Sequence, residues 1–529
     1  MRRKPEKSRP APAAERASDP RRPVAVVEIG TTSIRMLVAE IGAQCPLKVL
    51  DSLQQPVALG KDTFTRGFID RPTIETCVKA LRSFQRVLEE YGIRDENDVR
   101  AIATSAVREA TNREAFVDRI YIGTGLALQV IDQAAINRYT YLAVKPVLES
   151  ERSLQASDTL VIEVGGGSTE ALMFRRGRVG SAHMYRLGSL RLRRMLADYR
   201  VSEERVQTVL DGHVNETVEQ IMASISPVRK PALLALGGDA RFACAWVSPG
   251  WDRRSLTRLA VAPLVRLTHD VLKHSTDELV RQYEMTYPDA ETAGPALLVY
   301  ARLARALSLR HIHVCDASLR YGVLAEMASG GAWTREFQEQ IINSALTLGR
   351  RYEVDPHHAG YVADLAGRLF TVLQPEHRLD PRYGILLHAA ALLHETGQFV
   401  SRSSHHKHSM YIILNSDLFG LGSEEILLTA LVARYHRRAH PNPIHEHYAD
   451  LDREDRIRVS KLAAILRVAD AMDSGRRQRL RNATILLEND RLVIRSRRSE
   501  DLTLEKLQLR EKAQLFEQVY GMQVALESE

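Results

Sequence analysis

Cysteine is scarce in this chain: four among 529 residues (Cys45, Cys77, Cys244 and Cys315), scattered and without CxxC spacing. That excludes a disulfide or zinc framework and predicts buried thiols in a reducing compartment. Long apolar runs are missing as well. Nothing approaches the ~20 residues of a membrane span, and no signal-peptide pattern opens the sequence. A cytoplasmic protein, bacterial in type and without a membrane partner, is expected. Acidic residues run short only at the start. Residues 1–22 hold eight Lys/Arg against three Asp/Glu, so +5 of the net +7 lies there and +2 in the remainder. Charge so unevenly placed argues against specific nucleic-acid binding by the body of the chain. The Pro/Ala/Arg-rich stretch 1–22 has no apolar face and is expected to be a disordered basic tail.

Two segments that are present read as one device used twice: VAVVEIGTTSIRML (24–37) and LVIEVGGGSTEALM (160–173). Each is a β-branched run, a carboxylate, a Gly/Ser/Thr loop and a second apolar run, which predicts a strand, a tight turn and a returning strand. Small residues let backbone N–H groups approach an anion closely, and hydroxyls add donors. Thr31, Thr32, Ser33, Gly165, Gly166, Gly167, Ser168 and Thr169 are the candidate phosphate-binding residues. Glu28 and Glu163 would repel phosphate on their own, so a bridging cation is implied, most simply Mg²⁺. Glu163 and Glu170 flank the second loop, one to hold metal, the other to orient water.

Strand-like and helix-like segments alternate through 23–145 and again through 146–330, joined in the polar stretch around Leu148–Asp158. That is the α/β pattern, with strand ends feeding glycine loops. Residues 335–478 turn almost wholly helical, with apolar residues at i, i+3, i+4 and i+7 and frequent His and Arg. Residues 479–529 read as a small α+β appendage: a hairpin turning at Asn489-Asp490, then an amphipathic helix. Other candidates are Arg108 in ATSAVREATN, a phosphate clamp at a helix start, and Gly237 and Gly238 in LGGDAR. YRLGSLRLRR supplies Arg186, Arg191, Arg193 and Arg194, of which one or two are expected in the cleft.

EIGTTSIRMLV, ATSAVREATN, EVGGGSTEALMF, LGGDARFACA and LRYGVLAEM resemble, in order and spacing, the exopolyphosphatase/guanosine pentaphosphate phosphatase (Ppx/GppA) family. LLHAAALLHETG, SHHKHSMYIILNSDL and ALVARYHRRAH look like the HD-type domain of its longer members. The resemblance implies two actin-like lobes of the sugar-kinase/chaperone-ATPase type, then an all-α HD-like domain. It further implies Mg²⁺-dependent cleavage of terminal phosphoanhydrides and a homodimer. Glu170 matches the family's catalytic glutamate and Arg108 its phosphate-binding arginine. Glu28 and Glu163 stand where most members have aspartate, one methylene longer; an ångström of misplacement costs roughly 10²-fold in rate.

One departure concerns the base. Where the family has glutamates, one of which activates water, this chain has QAAINR (Gln133–Arg138), which puts Ala134, Ala135 or Ile136 in its place. Asp132 is the nearest substitute. In the helical domain the HD resemblance implies metal ligands among His358, His394, Glu395, His405, His406, His408 and Asp470, with Glu395 where aspartate is usual. A second divalent metal or an anion site is expected there, and HHKH with Arg434, His436, Arg437 and Arg438 would suit a polyphosphate track. The expected reaction is release of orthophosphate from inorganic polyphosphate or guanosine pentaphosphate (pppGpp). Two rivals stand: a catalytically weak sensor of these polyanions, and an HD phosphohydrolase with a regulatory actin-like half.

Overall fold

The computed structural model describes residues 21–42, 45–198, 203–225, 230–252, 255–330, 333–488, 490–496 and 501–528. Residues 1–20 of the basic tail and Asn489 of the hairpin turn lie outside the described residues. Arg22, counted with the tail on composition, opens the first strand and pairs with Asp98.

Lobe I is a five-stranded sheet of β1 (Arg22–Ile29), β2 (Ser33–Gly42), β3 (Cys45–Pro56), β4 (Val99–Ala103) and β5 (Leu128–Val130). Lobe II contains β6 (Thr159–Val164), β7 (Thr169–Arg175), β8 (Arg178–Tyr185), β9 (Ala232–Leu236), β10 (Thr257–Ala260) and β11 (His311–Val314). Their strand orders are 3-2-1-4-5 and 10-11-9-6-7-8. Reversed, the second reads 8-7-6-9-11 with β10 added at the edge, so the lobes are copies of one topology. In each, an antiparallel meander leads into parallel strands.

Period-2 patterning explains how each sheet is sandwiched. On β1, Ala25, Val27 and Ile29 face one core, while Val24 and Val26 face another shared with the helix Leu319–Ala328. That helix follows the last strand of lobe II yet packs on lobe I. A Cβ on its Gly322 would stand 1.9 Å from the carbonyl oxygen of Tyr139, in the helix Gln133–Ser150.

The helical region packs on lobe II without a break in the core. Val161, Leu172 and Phe174 of the sheet join Phe337, Leu365, Leu387 and Phe419 of the helices. Tyr141 stands at the seam, its ring 6.2 Å from Phe174, 6.0 Å from Phe337 and 5.6 Å from Phe419. Last come β12 (Thr484–Glu488), β13 (Arg491–Ser496), the helices Thr503–Lys512 and Gln514–Tyr520, and β14 (Gln523–Ser528). Among the described residues no helix is long and apolar enough to cross a membrane. Cys77, Cys244 and Cys315 are buried free thiols.

Candidate active site

The duplicated hairpins meet at one cavity of about 140 Å³. In lobe I the Gly30 N–H donates to the Ser33 carbonyl at 3.0 Å; in lobe II the Gly165 N–H donates to the Ser168 carbonyl at 2.8 Å. The same turn therefore closes both hairpins. Alternation places Glu28 on the face of Val24 and Val26, and Glu163 on the face of Val161. Each carboxylate stands at the open end of its strand and lines the cavity. A Cβ on Gly166 would stand 2.8 Å from Thr31 Cγ2, and one on Gly188 2.3 Å from the Gly167 carbonyl carbon. Approach this close leaves room only for glycine. Tyr300, fully buried, fixes the floor: its hydroxyl accepts the Val164 N–H at 3.0 Å and donates to the Leu236 carbonyl at 2.5 Å.

The sequence candidates divide. Glu28, Thr31, Thr32 and Ser33 line the cavity from lobe I, and Glu163, Gly165, Gly166, Ser168, Glu170, Gly237 and Gly238 from lobe II. Gly167 and Thr169 do not; the Thr169 hydroxyl donates to the Leu187 carbonyl at 2.6 Å. Arg108 lies beside the cavity, not in its wall. Its Nη1 donates to the Ile131 carbonyl at 2.9 Å, and its charge pulls on Glu170. None of the YRLGSLRLRR arginines reaches the cavity wall. Arg191 grips Glu109 at 2.7 and 2.8 Å and the Gly167 carbonyl at 2.9 Å, Arg186 also pairs with Glu109, Arg193 donates to Thr276, and Arg194 pairs with Glu291. Glu109, Thr276 and Glu291 are distant in sequence, which is why the motif misled.

Asp132 does not face the cavity either. Its Oδ1 accepts the Ala135 N–H at 2.8 Å and its Oδ2 the Ser423 N–H at 3.4 Å, so it caps the helix Gln133–Ser150 and meets the helical domain. Of the three positions 134–136, the one that lines the cavity is Ile136.

Sequence reasoning passed over Arg35, Asp239 and Asp289, which line the cavity, and Arg241 and Arg320 beside it. Arg35 and Asp239 stand inside quoted motifs, and strand period assigns Arg35 to the face of Glu28. Asp289 carries no local signal. Burial, then the charges of Glu170 and Glu28, push Glu163 up to about 7; Arg241 and Arg35 oppose the shift. Burial and then Asp289 push Asp239 up to about 7 as well. Burial also raises Glu170, although Ser168 Oγ donates to it at 2.5 Å. Glu28 meets Arg320 at 3.6 Å.

A second cluster lies in the helical domain. His358, His394 and Asp470 bring ligand atoms within 4.8 Å of one another, all buried. His436 packs against His394 with ring centres 4.9 Å apart, and His405 Nε2 is 3.1 Å from His436 Nε2. Burial opposes it, but Asp470 and Asp473 raise His358 to about 9. Lys512 grips Asp470 through Oδ2. Glu395 is turned away: its Oε1 accepts Arg476 Nη2 at 2.5 Å. His406 and His408 stand outside the cluster. In the expected basic track Arg438 pairs with Glu511, and Arg434 donates to the Glu446 carbonyl.

Duplicated α/β lobes closing on carboxylates and glycine turns define a two-lobed protein of the actin-like class. A profile of the Ppx/GppA phosphatase family matches residues 37–330, and one of the Ppx/GppA phosphatase domain III matches residues 342–517. The chain belongs to the Ppx/GppA phosphatase family. It is 24% identical over 458 residues to a guanosine-5'-triphosphate,3'-diphosphate pyrophosphatase of Aeromonas hydrophila, covering 84% of this chain and 86% of that one. A like-named protein of Photobacterium profundum is 22% identical over 447 residues, again covering 84% and 86%. The crystal structure of an exopolyphosphatase from Cytophaga hutchinsonii has the same fold, with a TM-score of 0.52 and 21% identity over 58% of this chain and 98% of that chain.

Proposed function

We propose that this chain hydrolyses a terminal phosphoanhydride of inorganic polyphosphate or pppGpp in the cavity between its lobes. One observation carries the reading. Arg35 Nε, Arg241 Nη1 and Arg320 Nε are buried without any hydrogen-bond acceptor. A buried donor left unmatched costs about 1–3 kcal/mol, and phosphoryl oxygens answer such donors in charge-assisted pairs.

The acids fit a hard cation: Glu28, Glu163, Glu170, Asp239 and Asp289 face one cavity, and burial, then the charges of Glu170 and Glu28, raises Glu163. Glu28 and Glu163 would hold Mg²⁺, which when bound neutralises phosphate charge. The chain's own groups supply the rest. Thr31, Thr32 and Ser33 present hydroxyls to the phosphate, and the arginines take up its equatorial oxygens. Glu170, held by Ser168, orients a water whose oxygen forms the new bond to the terminal phosphorus, the water's proton passing to a phosphoryl oxygen. The bond to the bridging oxygen breaks; orthophosphate leaves and the shortened substrate keeps that oxygen.

Ile136 stands in the wall near the position where the family resemblance calls for a base, so the reaction forgoes roughly 10²–10⁴-fold of base assistance. The same residue favours a second reading, a sensor that binds the polyanion and turns it over slowly. Phosphate release from both substrates, with Mg²⁺, is measured for the wild type, Glu170→Gln and His394→Ala. Loss confined to Glu170→Gln supports hydrolysis in the cleft. Loss confined to His394→Ala moves the chemistry to the helical domain. Tight binding without turnover in the wild type leaves the sensor.

A further inference from the structure

We infer that Met184 is an oxidation site that regulates the cleft: a hydroperoxide converts its thioether to a sulfoxide, whose oxygen holds Arg108 away from an incoming phosphate. The inference rests on the cleft reading above, with Arg108 as a phosphate ligand. It starts from strand register. Met184 on β8 stands directly across from Glu170 on β7. Side chains so paired share a face, with Cβ atoms about 5 Å apart. Glu170 lines the cavity, so Met184 stands on the same side, at the rim.

The sulfur meets a cation from the other lobe. Arg108 ends the short helix Ser105–Arg108 of lobe I. Its Nη2 lies 3.8 Å from Met184 Sδ, while its Nη1 donates to the Ile131 carbonyl at 2.9 Å. The next residue, Glu109, takes Arg186 and Arg191 of lobe II. The Arg108–Met184 contact is therefore part of a seam across the mouth of the cleft. A thioether is a weak acceptor, so it keeps the guanidinium in place yet gives it up readily to a phosphoryl oxygen.

Exposure singles this sulfur out. Met184 is 37% exposed, and it is the one exposed methionine among the described residues. Met410 makes a like contact, its Sδ 3.4 Å from Arg434 Nη1, but is only 7% exposed. A peroxide must reach the sulfur, so access decides which methionine is oxidised first. The sulfur lone pair attacks one peroxide oxygen. An S–O bond forms, the O–O bond breaks, and the second oxygen leaves as water, or as an alcohol from an organic peroxide. Sulfur is oxidised and the peroxide reduced. A polar S=O oxygen now stands within reach of Arg108 Nη2, where a charge-assisted hydrogen bond joins the lobes and competes with phosphate for that nitrogen. A methionine sulfoxide reductase, drawing electrons from a thiol pair, restores the thioether.

The test uses the full chain, with inorganic polyphosphate as the probe and its binding read by calorimetry before and after millimolar hydrogen peroxide. Peptide mass spectrometry is expected to find sulfoxide at Met184 well ahead of Met410. Oxidation should weaken polyphosphate binding roughly tenfold, the worth of a hydrogen bond to a charged group, and raise KM more than it lowers kcat. Reductase with thiol restores the affinity. Met184→Leu, treated in parallel, keeps its affinity, whereas Met184→Gln, with an amide oxygen in reach of Arg108, binds weakly without peroxide. Glu170→Gln, which stops turnover under the cleft reading, shows the same oxidative loss of binding, so failure here is distinct from failure of that reading. Oxidation of Met410 ahead of Met184, an equal loss in Met184→Leu, or binding equal in both states of the wild type overturns the inference. Reductase rescue of the wild type decides even where a variant fails to fold.

Discussion

Arg35 and Glu170 occupy the same place in two equivalent hairpins. Arg35 pairs with Glu28 across β1–β2, and Glu170 pairs with Glu163 across β6–β7. Both line the cavity, so one lobe offers a cation where its copy offers an acid. Fold duplication set the positions, and in the proposed reaction the two side chains would divide phosphate binding and water orientation between them.

Arg35→Met should therefore cost binding more than folding. Its Nε is buried with no acceptor, so the folded chain loses little when it goes. A decrease of roughly 10²-fold in kcat/KM is expected, the loss of one charge-assisted fork. Arg35→Lys should recover only part of it, because an ammonium lacks the fork. Steady-state phosphate release checks both; an unchanged kcat/KM in Arg35→Met removes Arg35 from the site.

Ile136→Glu puts a carboxylate into the wall where the chain has none. If base assistance is what the cleft lacks, kcat rises by at least ~10-fold, within the usual range for a general base. The price is another acid beside Glu28, Glu163 and Glu170, so thermal stability falls. A variant no faster than wild type, yet folded by circular dichroism, argues for the sensor.

The pH dependence of the cleft follows from Glu163, raised from an ordinary 4.5 to about 7, chiefly by burial. The folded state binds that proton more tightly than the unfolded chain. The group's contribution to stability is full below 4.5 and gone once pH passes 7. Glu163→Gln should flatten the fall in Tm between these limits in metal-free protein. Mg²⁺ needs the ionised carboxylate, so its apparent affinity should climb up to tenfold per pH unit below about 7 and then level off.

Tyr300→Phe tests the floor. Removing the hydroxyl leaves the Val164 N–H and the Leu236 carbonyl without their partner. Each is buried at the end of a strand that carries a phosphate turn, and such groups cost about 1–3 kcal/mol when unmatched. Urea denaturation should show a loss of that order, with reduced phosphate release as the turns beside Glu163 and Gly237 loosen.

Much of this was legible in one dimension. The repeat of strand, carboxylate and glycine turn announced both hairpins, because turn chemistry and period 2 are local. Arg35 and Asp239 were legible but overlooked, since phosphate and glycine drew attention first. Asp289 and Asp473 were not legible, for each acts across a long sequence separation. Arg191 was misread for the same reason, its carboxylate partner Glu109 lying 82 residues away.

By itself the sequence determined the duplicated strand-and-turn device, the change to helices after lobe II and the family's motifs, all carried by residues near one another in the chain. Only the tertiary structure decided which side chains share a cavity. It set Ile136 in the wall and Asp132 at a helix cap, spent Thr169 and Arg191 on packing, and left Arg35, Arg241 and Arg320 at the cleft with unmatched donors. It also joined histidines from four helical-domain segments into one cluster and drew Glu395 away to Arg476. Local rules govern backbone turns and strand faces, whereas partners for buried charge are chosen by whatever long-range packing brings within a few ångströms.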